Sequence, residues 1–470
     1  MLSSDVISTP NGDEQPRYST KWTRVGDVID LSREDFTRLE HWQPKYGVEN
    51  YDRRRLVRKC IDVANCLRSR GVDSQIVDSD LKSTLYFLNR TFDYYEGKVS
   101  PGINGSFAFV VPSRLQRSRR DYGSEMFQHL PIMAHVDKAT AQLALVGTCP
   151  WIVDVYGRDP NGRQGAMIFA PVFHDMSTDI VTPSGRPDRL GAISVSFGIV
   201  EDAVRFARDR LGVEVAGLGA TLPLVVFMAR DILKRQFAVP GVTPTTGHAG
   251  TVWLLGEVVR RAIADHDLSS YEHVAVVGAG NVGSASAEYL LETGIAGKVA
   301  LCDVDSGRAR RVGKGLVDRY GHNKVEVVDS VTEILKRRGV IVSAVTRPIR
   351  IDASVEDMSE SVIIDDSQPH AVERSAVEAK SGKVAWVIGK DNSAGGCVTV
   401  QGGFEYGGWG PVSADELWGC QAEAAAISLQ DAPDRAVLDR VTLREVTAMG
   451  EVCVESGITA AQLQSFGSYL

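Results

Sequence analysis

The most regular alternation of apolar and polar positions in this chain lies between His273 and Asp303. The run His273-Val274-Ala275-Val276-Val277 predicts a buried strand, and Gly278-Ala279-Gly280-Asn281-Val282-Gly283 turns the chain. Ser284 to Leu291 then has helical spacing, and Val299-Ala300-Leu301-Cys302 predicts a second strand ending on Asp303. The pattern repeats downstream, with a helix through Tyr320, a strand Lys324–Val328 and a helix to Arg338. Strands follow at Val340–Val345, Val362–Asp365 and Val384–Ile388. Strands alternating with helices predict an α/β fold built on a doubly wound parallel Rossmann sheet. Its domain is expected over 271–400.

The flanking regions read differently. Residues 1–20 are polar and broken by Pro10, Asn11, Gly12 and Pro16, as in a disordered tail. Residues 21–105 have helical spacing and form an N-terminal extension. A second α/β domain, expected to bind substrate, occupies 106–270. It has a strand at Phe107–Val111, a strand pair flanking the turn Asp159-Pro160-Asn161-Gly162, and helices over Ile199–Leu211 and Val252–Ile263. Residues 401–470 end the chain with helices at Ala414–Leu429 and Thr442–Glu455, expected to pack back on the substrate domain.

The stretch from His273 to Asp303 has the context of a dinucleotide fingerprint: strand, G-x-G-x-x-G, helix, strand, and an acid about 20 residues on. The first glycine permits the turn, the second admits a pyrophosphate, and the third lets helix and strand pack closely. Gly278, Gly280, Asn281, Val282 and Gly283 are therefore candidate ligands for a nicotinamide or flavin dinucleotide. The competing reading is a Rossmann unit that only packs a sheet. A carboxylate at Asp303 accepts from a ribose 2′-hydroxyl and repels a 2′-phosphate, which favours NADH over NADPH. Val304 follows where an arginine would favour the phosphate; Arg308, Arg310 and Arg311 have the spacing of a solvated helix face. Ligands of such sheets sit beyond the carboxyl ends of the strands, which adds Thr346 and the segment Asp365-Asp366-Ser367.

Bulk properties narrow the class. A net charge of −8 over 470 residues argues against nucleic acid as the main partner. Seven cysteines without ligand spacing point away from a structural metal or a disulfide framework, and toward a reducing cytoplasm. No signal peptide is visible. The longest uncharged stretch, Val215–Ala229, is too short and too broken to span a bilayer.

Two segments could carry chemistry. The loop Val242–Thr251 precedes a helix, so Thr245 or Thr246 is either its N-cap or, with His248, faces a nicotinamide and a substrate carbonyl. In Ser413–Ala424, Ser413 and Glu416 predict a capping box, which would place Cys420 about two turns into the helix with Glu416 and Glu423 beside it. A cysteine among alanines at that depth reads as a small core residue.

Residues from about Ser106 onward resemble the cyanobacterial long-chain acyl-[acyl carrier protein] reductases, which form aldehydes. The likeness lies in Thr245-Thr246-Gly247 before a helix, in Val274-Ala275-Val276-Val277-Gly278, and in Val362–Asp365 with Pro369. It continues in Cys420-x-Ala422-Glu423-Ala424 and in Val441-Thr442-Leu443 with Ala448-Met449-Gly450-Glu451. The resemblance implies that Cys420 is a nucleophile taking the acyl group from an acyl carrier protein or coenzyme A thioester; Glu423, beside it by helical spacing, and Thr246 and His248 of the loop complete the candidate catalytic set. NAD(P)H would then reduce the acyl-enzyme. An acidic carrier would meet Arg114–Arg120 or the Arg53–Lys59 run, and homo-oligomerisation is left open. The chain departs from the family's pattern at three places. His248 and Gly250 stand where the family has asparagine and histidine, Gly219-Ala220-Thr221-Leu222-Pro223 replaces a G-G-F-T-S loop, and Val304 replaces an arginine matched to NADPH. Two alternatives remain: a dehydrogenase of a small polar acid without a covalent intermediate, and a non-catalytic NAD-binding module.

Overall fold

A computed structural model describes residues 53–102, 105–113, 129–135, 147–157, 164–173, 189–268, 273–367, 370–392, 398–401, 410–413 and 415–470. The expected tail, the turn at 159–162 and the basic segment Arg114–Arg120 lie outside these residues. The chain forms two compact units, residues 1–243 with 399–407, and residues 244–398 with 408–470.

In the first unit, α1 (Arg53–Ser69) and α2 (Ser74–Tyr95) pair. α1 buries Leu56, Cys60, Val63, Ala64 and Leu67, a stripe at helical spacing. Asp73 caps α2 by accepting the Gln75 N–H at 2.8 Å. The basic run Arg53–Lys59 is not simply a wet face: Arg53 bonds Asp93 at 2.8 Å and forks onto Asn89, tying the two helices. The sheet carries β1 (Gly105–Ser113), β2 (Trp151–Gly157), β3 (Gln164–Phe173), β4 (Val215–Leu218) and β5 (Thr243–Thr245). Its order is Val398–Gln401, β2, β3, β1, β4, β5. β2 and β3 run antiparallel as the turn signal predicts, whereas β1 runs parallel to both β3 and β4. α3 (Arg189–Leu211) and α4 (Leu222–Leu233) complete the unit.

The second unit opens with α5 (His248–Asp265) and then alternates strand and helix. β6 (His273–Val277), α6 (Asn281–Glu292), β7 (Lys298–Cys302), α7 (Ser306–Tyr320), β8 (Val325–Val327) and α8 (Val331–Leu335) form its first half. β9 (Gly339–Ser343), β10 (Ser361–Asp365), α9 (Arg374–Glu378) and β11 (Lys383–Trp386) form the second. The strand order β11-β10-β9-β6-β7-β8, with every pair parallel, is the doubly wound order with its reversal between β6 and β9. Parallel strands buried on both faces need continuous apolar runs, which is why these strands stand out in the sequence. β12 (Ile388–Asp391) lies between the strands Glu416–Trp418 and Ile458–Ala460 in a small antiparallel sheet. α10 (Gly419–Gln430) and α11 (Leu443–Glu455) both pack on α5.

The boundary between the units falls at 243/244 rather than at the expected 270/271, and α5 belongs with the dinucleotide sheet. The C-terminal helices pack on α5, inside the expected 106–270 segment but within the second unit. Small residues bring them close. A Cβ on Gly250 would sit 2.7 Å from the Glu423 Cβ, and one on Gly450 would sit 2.4 Å from the Trp253 ring. No helix among the described residues is long and apolar enough to cross a membrane.

Candidate active site

The fingerprint folds as its glycines require. Gly278 has φ +105, a conformation costly for any residue with a Cβ. A Cβ on Gly283 would lie 1.9 Å from the Gly278 carbonyl oxygen, so the third glycine is needed for closure of helix onto strand. Gly280 faces open space, with nothing within 4 Å of its Cβ direction. No side chain caps α6, which leaves its first N–H groups directed at that space. Asp303 ends the second strand and is nearly buried. Its Oδ2 accepts the Ala279 N–H at 2.6 Å and its Oδ1 the Asp305 N–H at 2.8 Å. Each oxygen keeps a lone pair for a ribose hydroxyl. The cradle, the free helix end and the acid fit a nicotinamide dinucleotide. Thr346 is exposed in the loop after β9, whose Ala344 lies against Gly278.

Cys420 is not two turns deep. Ser413 N–H does donate to Glu416 Oε2 at 2.7 Å, the first half of a capping box. Yet Glu416–Trp418 pairs as a strand with β12, and the helix begins only at Gly419. Cys420 is therefore half-buried in the first turn of α10, the end at which a helix dipole favours negative charge. In the same unit Cys302 and Cys453 are buried. Burial pushes the Cys302 thiol up to about 11 and the Cys453 thiol higher still.

Three helix N-termini of this unit meet at one place. Gly247, the N-cap of α5 with φ +73, lies so close to Cys420 that a Cβ there would be 2.4 Å from the Cys420 Cβ. His248 follows as the first residue of α5, and Asn281 Nδ2, at the head of α6, lies 2.8 Å from His248 Nδ1. The part-buried imidazole is held neutral, since burial pushes it down to about 4.

The hydroxyls and the carboxylate expected around the cysteine have other partners. Thr246 is fully buried and donates its hydroxyl to the Val437 carbonyl at 3.0 Å, as does its N–H at 2.8 Å. It is neither the N-cap, which is Gly247, nor a group turned toward a substrate. Glu423 is also fully buried; it accepts from the Thr245 hydroxyl and from the Gly250 N–H at 2.6 Å. The interior spacing that sets α10 against α5 puts Glu423 over the α5 N-terminus, so it caps that helix instead of assisting Cys420. Burial raises its carboxyl to about 7 in spite of these donors.

That raised carboxyl fixes a sign. Lying above its ordinary 4.5, it contributes stability that is present below that value and is lost as pH rises through about 7, on the order of 3 kcal/mol. His248 acts oppositely, costing stability as pH falls from 6.5 through about 4. Urea unfolding of the wild-type chain should show the alkaline decline, and Glu423→Gln should remove it. Equal slopes in the two proteins would show that Glu423 is not the group responsible.

No family profile matches the chain, and no curated protein matches it. Solved structures do. The chain is 12% identical to L-tryptophan dehydrogenase from Nostoc punctiforme over 75% of this chain and 80% of that one, with a TM-score of 0.34. It is 15% identical to quinate dehydrogenase from Corynebacterium glutamicum in complex with NAD, over 75% and 99% (TM-score 0.29). It is 13% identical to shikimate dehydrogenase from Aquifex aeolicus, over 60% and 86% (TM-score 0.28). At such identities and TM-scores the likeness is one of fold type and assigns no chemistry.

The structure thus brings together His248, Asn281, the fingerprint glycines and Cys420, and leaves Thr246 and Glu423 as supports. Sequence reading overlooked Val437 and Val441. Their backbone groups tie the chain before α11 to Thr245, Thr246 and Asn281, and main-chain partners carry no residue signature. Among the described residues no cluster of three or more His, Cys, Asp or Glu is arranged to hold a metal ion.

Proposed function

We propose that the chain is an NAD(P)H-dependent oxidoreductase and that the carbonyl it reduces is a thioester carried on Cys420. The observation supporting this is the half-buried Cys420 in the first turn of α10, against the Gly247–His248 turn that touches the fingerprint. The Cys420 sulfur attacks the carbonyl of an acyl thioester, carried by an acyl carrier protein or coenzyme A. The carbon–sulfur bond to the carrier breaks and the carrier leaves as its thiolate, which takes a proton from water. A reduced nicotinamide, when bound in the cradle, would supply the hydride that the acyl carbon takes. The resulting alkoxide on Cys420 collapses, the carbon–sulfur bond breaks, and aldehyde departs as the thiolate re-forms. The α6 N–H groups would hold the dinucleotide's pyrophosphate and Asp303 its ribose hydroxyls. Incubation with mixed acyl thioesters in the absence of cofactor, followed by digestion, should place the acyl group on Cys420. Acylation at another cysteine, or at none, would remove the covalent route.

A second reading, reduction or oxidation of a small polar acid without a covalent intermediate, agrees with the names of the solved structures above. Of the two carboxylates expected at the end of β10, Asp365 is fully buried and accepts the Ser367 and Ala371 N–H groups, which leaves the half-buried Asp366 to meet such a substrate. An active Cys420→Ala enzyme, together with acyl thioesters that fail to oxidise NADH, would select it.

Arg308 bears on the cofactor. Its guanidinium is half-exposed on the solvated face of α7 and lies 3.7 Å from Asp303 Oδ2 and 3.7 Å from Asp305 Oδ2, beside the acid expected to meet the ribose. Swinging toward a 2′-phosphate would offset the repulsion from Asp303. We expect Arg308→Ser to leave NADH affinity nearly unchanged and to weaken NADPH about 10-fold, the value of one charge-assisted hydrogen bond. Fluorescence titration of the two reduced nucleotides checks this, and an unchanged NADPH affinity would clear Arg308 of the role.

A further inference from the structure

We propose that the cleft walled by α5, α6 and α11 is a second binding site, separate from the dinucleotide cradle, for a small organic ammonium ion whose carbon stem also carries a hydroxyl or carbonyl oxygen. The inference does not depend on the role given to Cys420.

Glycines frame the cleft. α11 meets α5 at Gly450, where a Cβ would lie 2.4 Å from the Trp253 ring, and α6 meets α5 at Gly256, where a Cβ would lie 2.5 Å from the Tyr289 ring. Beside these close approaches a cavity of about 420 Å³ remains, within the size range of small-molecule sites. Its walls include Trp253 from α5, Tyr289 from α6, and Glu451, Val454 and Glu455 from α11. Tyr289 is eight residues beyond Asn281, roughly 12 Å along α6 from the fingerprint.

The polar groups of these walls lack partners among the described residues. Trp253 and Tyr289 are each only 6% exposed, yet the indole N–H and the phenol O–H make no hydrogen bond, and neither is sealed off from the cavity that both rings line. Unmet donors on nearly buried rings call for an acceptor. Burial, with Glu257 nearby, raises the Tyr289 phenol above its ordinary range, so it stays a donor at neutral pH. Glu451 and Glu455 stand one turn apart on α11, make no ion pair and repel each other. No described lysine or arginine lines the cavity, and the neighbouring Arg260 is paired with Glu257 at 3.5 Å. An anion would therefore meet two carboxylates with nothing to offset them, and a purely apolar ligand would leave the donors unmet. An ammonium group between Glu451 and Glu455 makes charge-assisted hydrogen bonds, an oxygen on the same molecule takes the two donors, and the exposed Val454 covers the stem.

Calorimetric titration of the full chain with 2-aminoethanol, 3-aminopropanol and 4-aminobutanol should show saturable binding of at least one, with a Kd of about 1 mM or below. The alkylammonium of the same length, which lacks the oxygen, should bind about 10-fold more weakly, and the alcohol that lacks the ammonium should not bind measurably. Replacing both Glu451→Gln and Glu455→Gln, at exposed positions, should weaken every amine by about 10-fold or more. Tyr289→Phe should weaken the amino alcohol alone and leave the alkylammonium unchanged, a split that general loosening of the helices would not produce. Saturation with NADH should leave the amino alcohol bound. No saturable binding of any of the three amino alcohols, equal affinity for the alkylammonium, or unchanged affinity in the double glutamine variant would each overturn the proposal. Displacement by NADH would place the ligand in the cradle and overturn it as well.

Discussion

Cys420→Ser is expected to abolish the acyl adduct and to lower aldehyde formation by about 10³-fold or more, the scale on which losing a covalent nucleophile is felt. A serine hydroxyl in the same place is not ionised near neutral pH, and the dipole at the head of α10 cannot create an alkoxide. The substitution changes one atom in a half-buried position, so dinucleotide affinity and unfolding free energy should stay close to wild type. Intact-mass measurement after incubation with acyl thioesters reads the adduct, and NADH oxidation reads the turnover. Cys302 and Cys453 cannot substitute, since both thiols are buried and pushed above their ordinary range. Turnover at the wild-type rate in Cys420→Ser would eliminate the covalent mechanism and leave the non-covalent dehydrogenase.

The second large effect is at Gly247. With φ +73, alanine there must adopt a left-handed conformation. Its methyl would also lie 2.4 Å from the Cys420 Cβ and 2.6 Å from the Cys420 Cα. The backbone term is roughly 1–2 kcal/mol and the overpacking term roughly 1–3 kcal/mol, so Gly247→Ala should cost about 3 kcal/mol or more. Gly294 offers the comparison: its φ is +68 but nothing lies within 4 Å of its Cβ position. Gly294→Ala should therefore show the backbone cost alone. Urea unfolding of both variants separates the two contributions, and the rate of Cys420 alkylation should change only in Gly247→Ala. Equal destabilisation of the two would mean that α10 gives way freely and that the Gly247–Cys420 contact is not a constraint.

Much of the second unit could be read before any coordinates. Its strands are buried on both faces, so each is an unbroken apolar run, and the turns between them carry glycines that the backbone demands. His273–Val277, Gly278 to Gly283 and Asp303 all fall where the pattern puts them. Errors arose where a local signal competed with a distant partner. Ser413 and Glu416 do make a capping contact, but pairing with β12 keeps Glu416–Trp418 extended and delays the helix. Arg308 is exposed, as its helical spacing predicts, but only the structure shows its guanidinium 3.7 Å from Asp303.

The sequence alone settled what short-range stereochemistry governs: the order of strands and helices, the glycines of the fingerprint, and the acid at the end of the second strand. Tertiary structure alone decided which chemically able side chains stay available. Thr246 and Glu423 were drawn inward to satisfy Val437 and the α5 N-terminus, because a buried polar group without a partner costs more than a lost surface contact. Cys420, His248 and Asn281 were brought together from positions far apart in the chain by close helix contacts that only Gly247 and Gly250 allow.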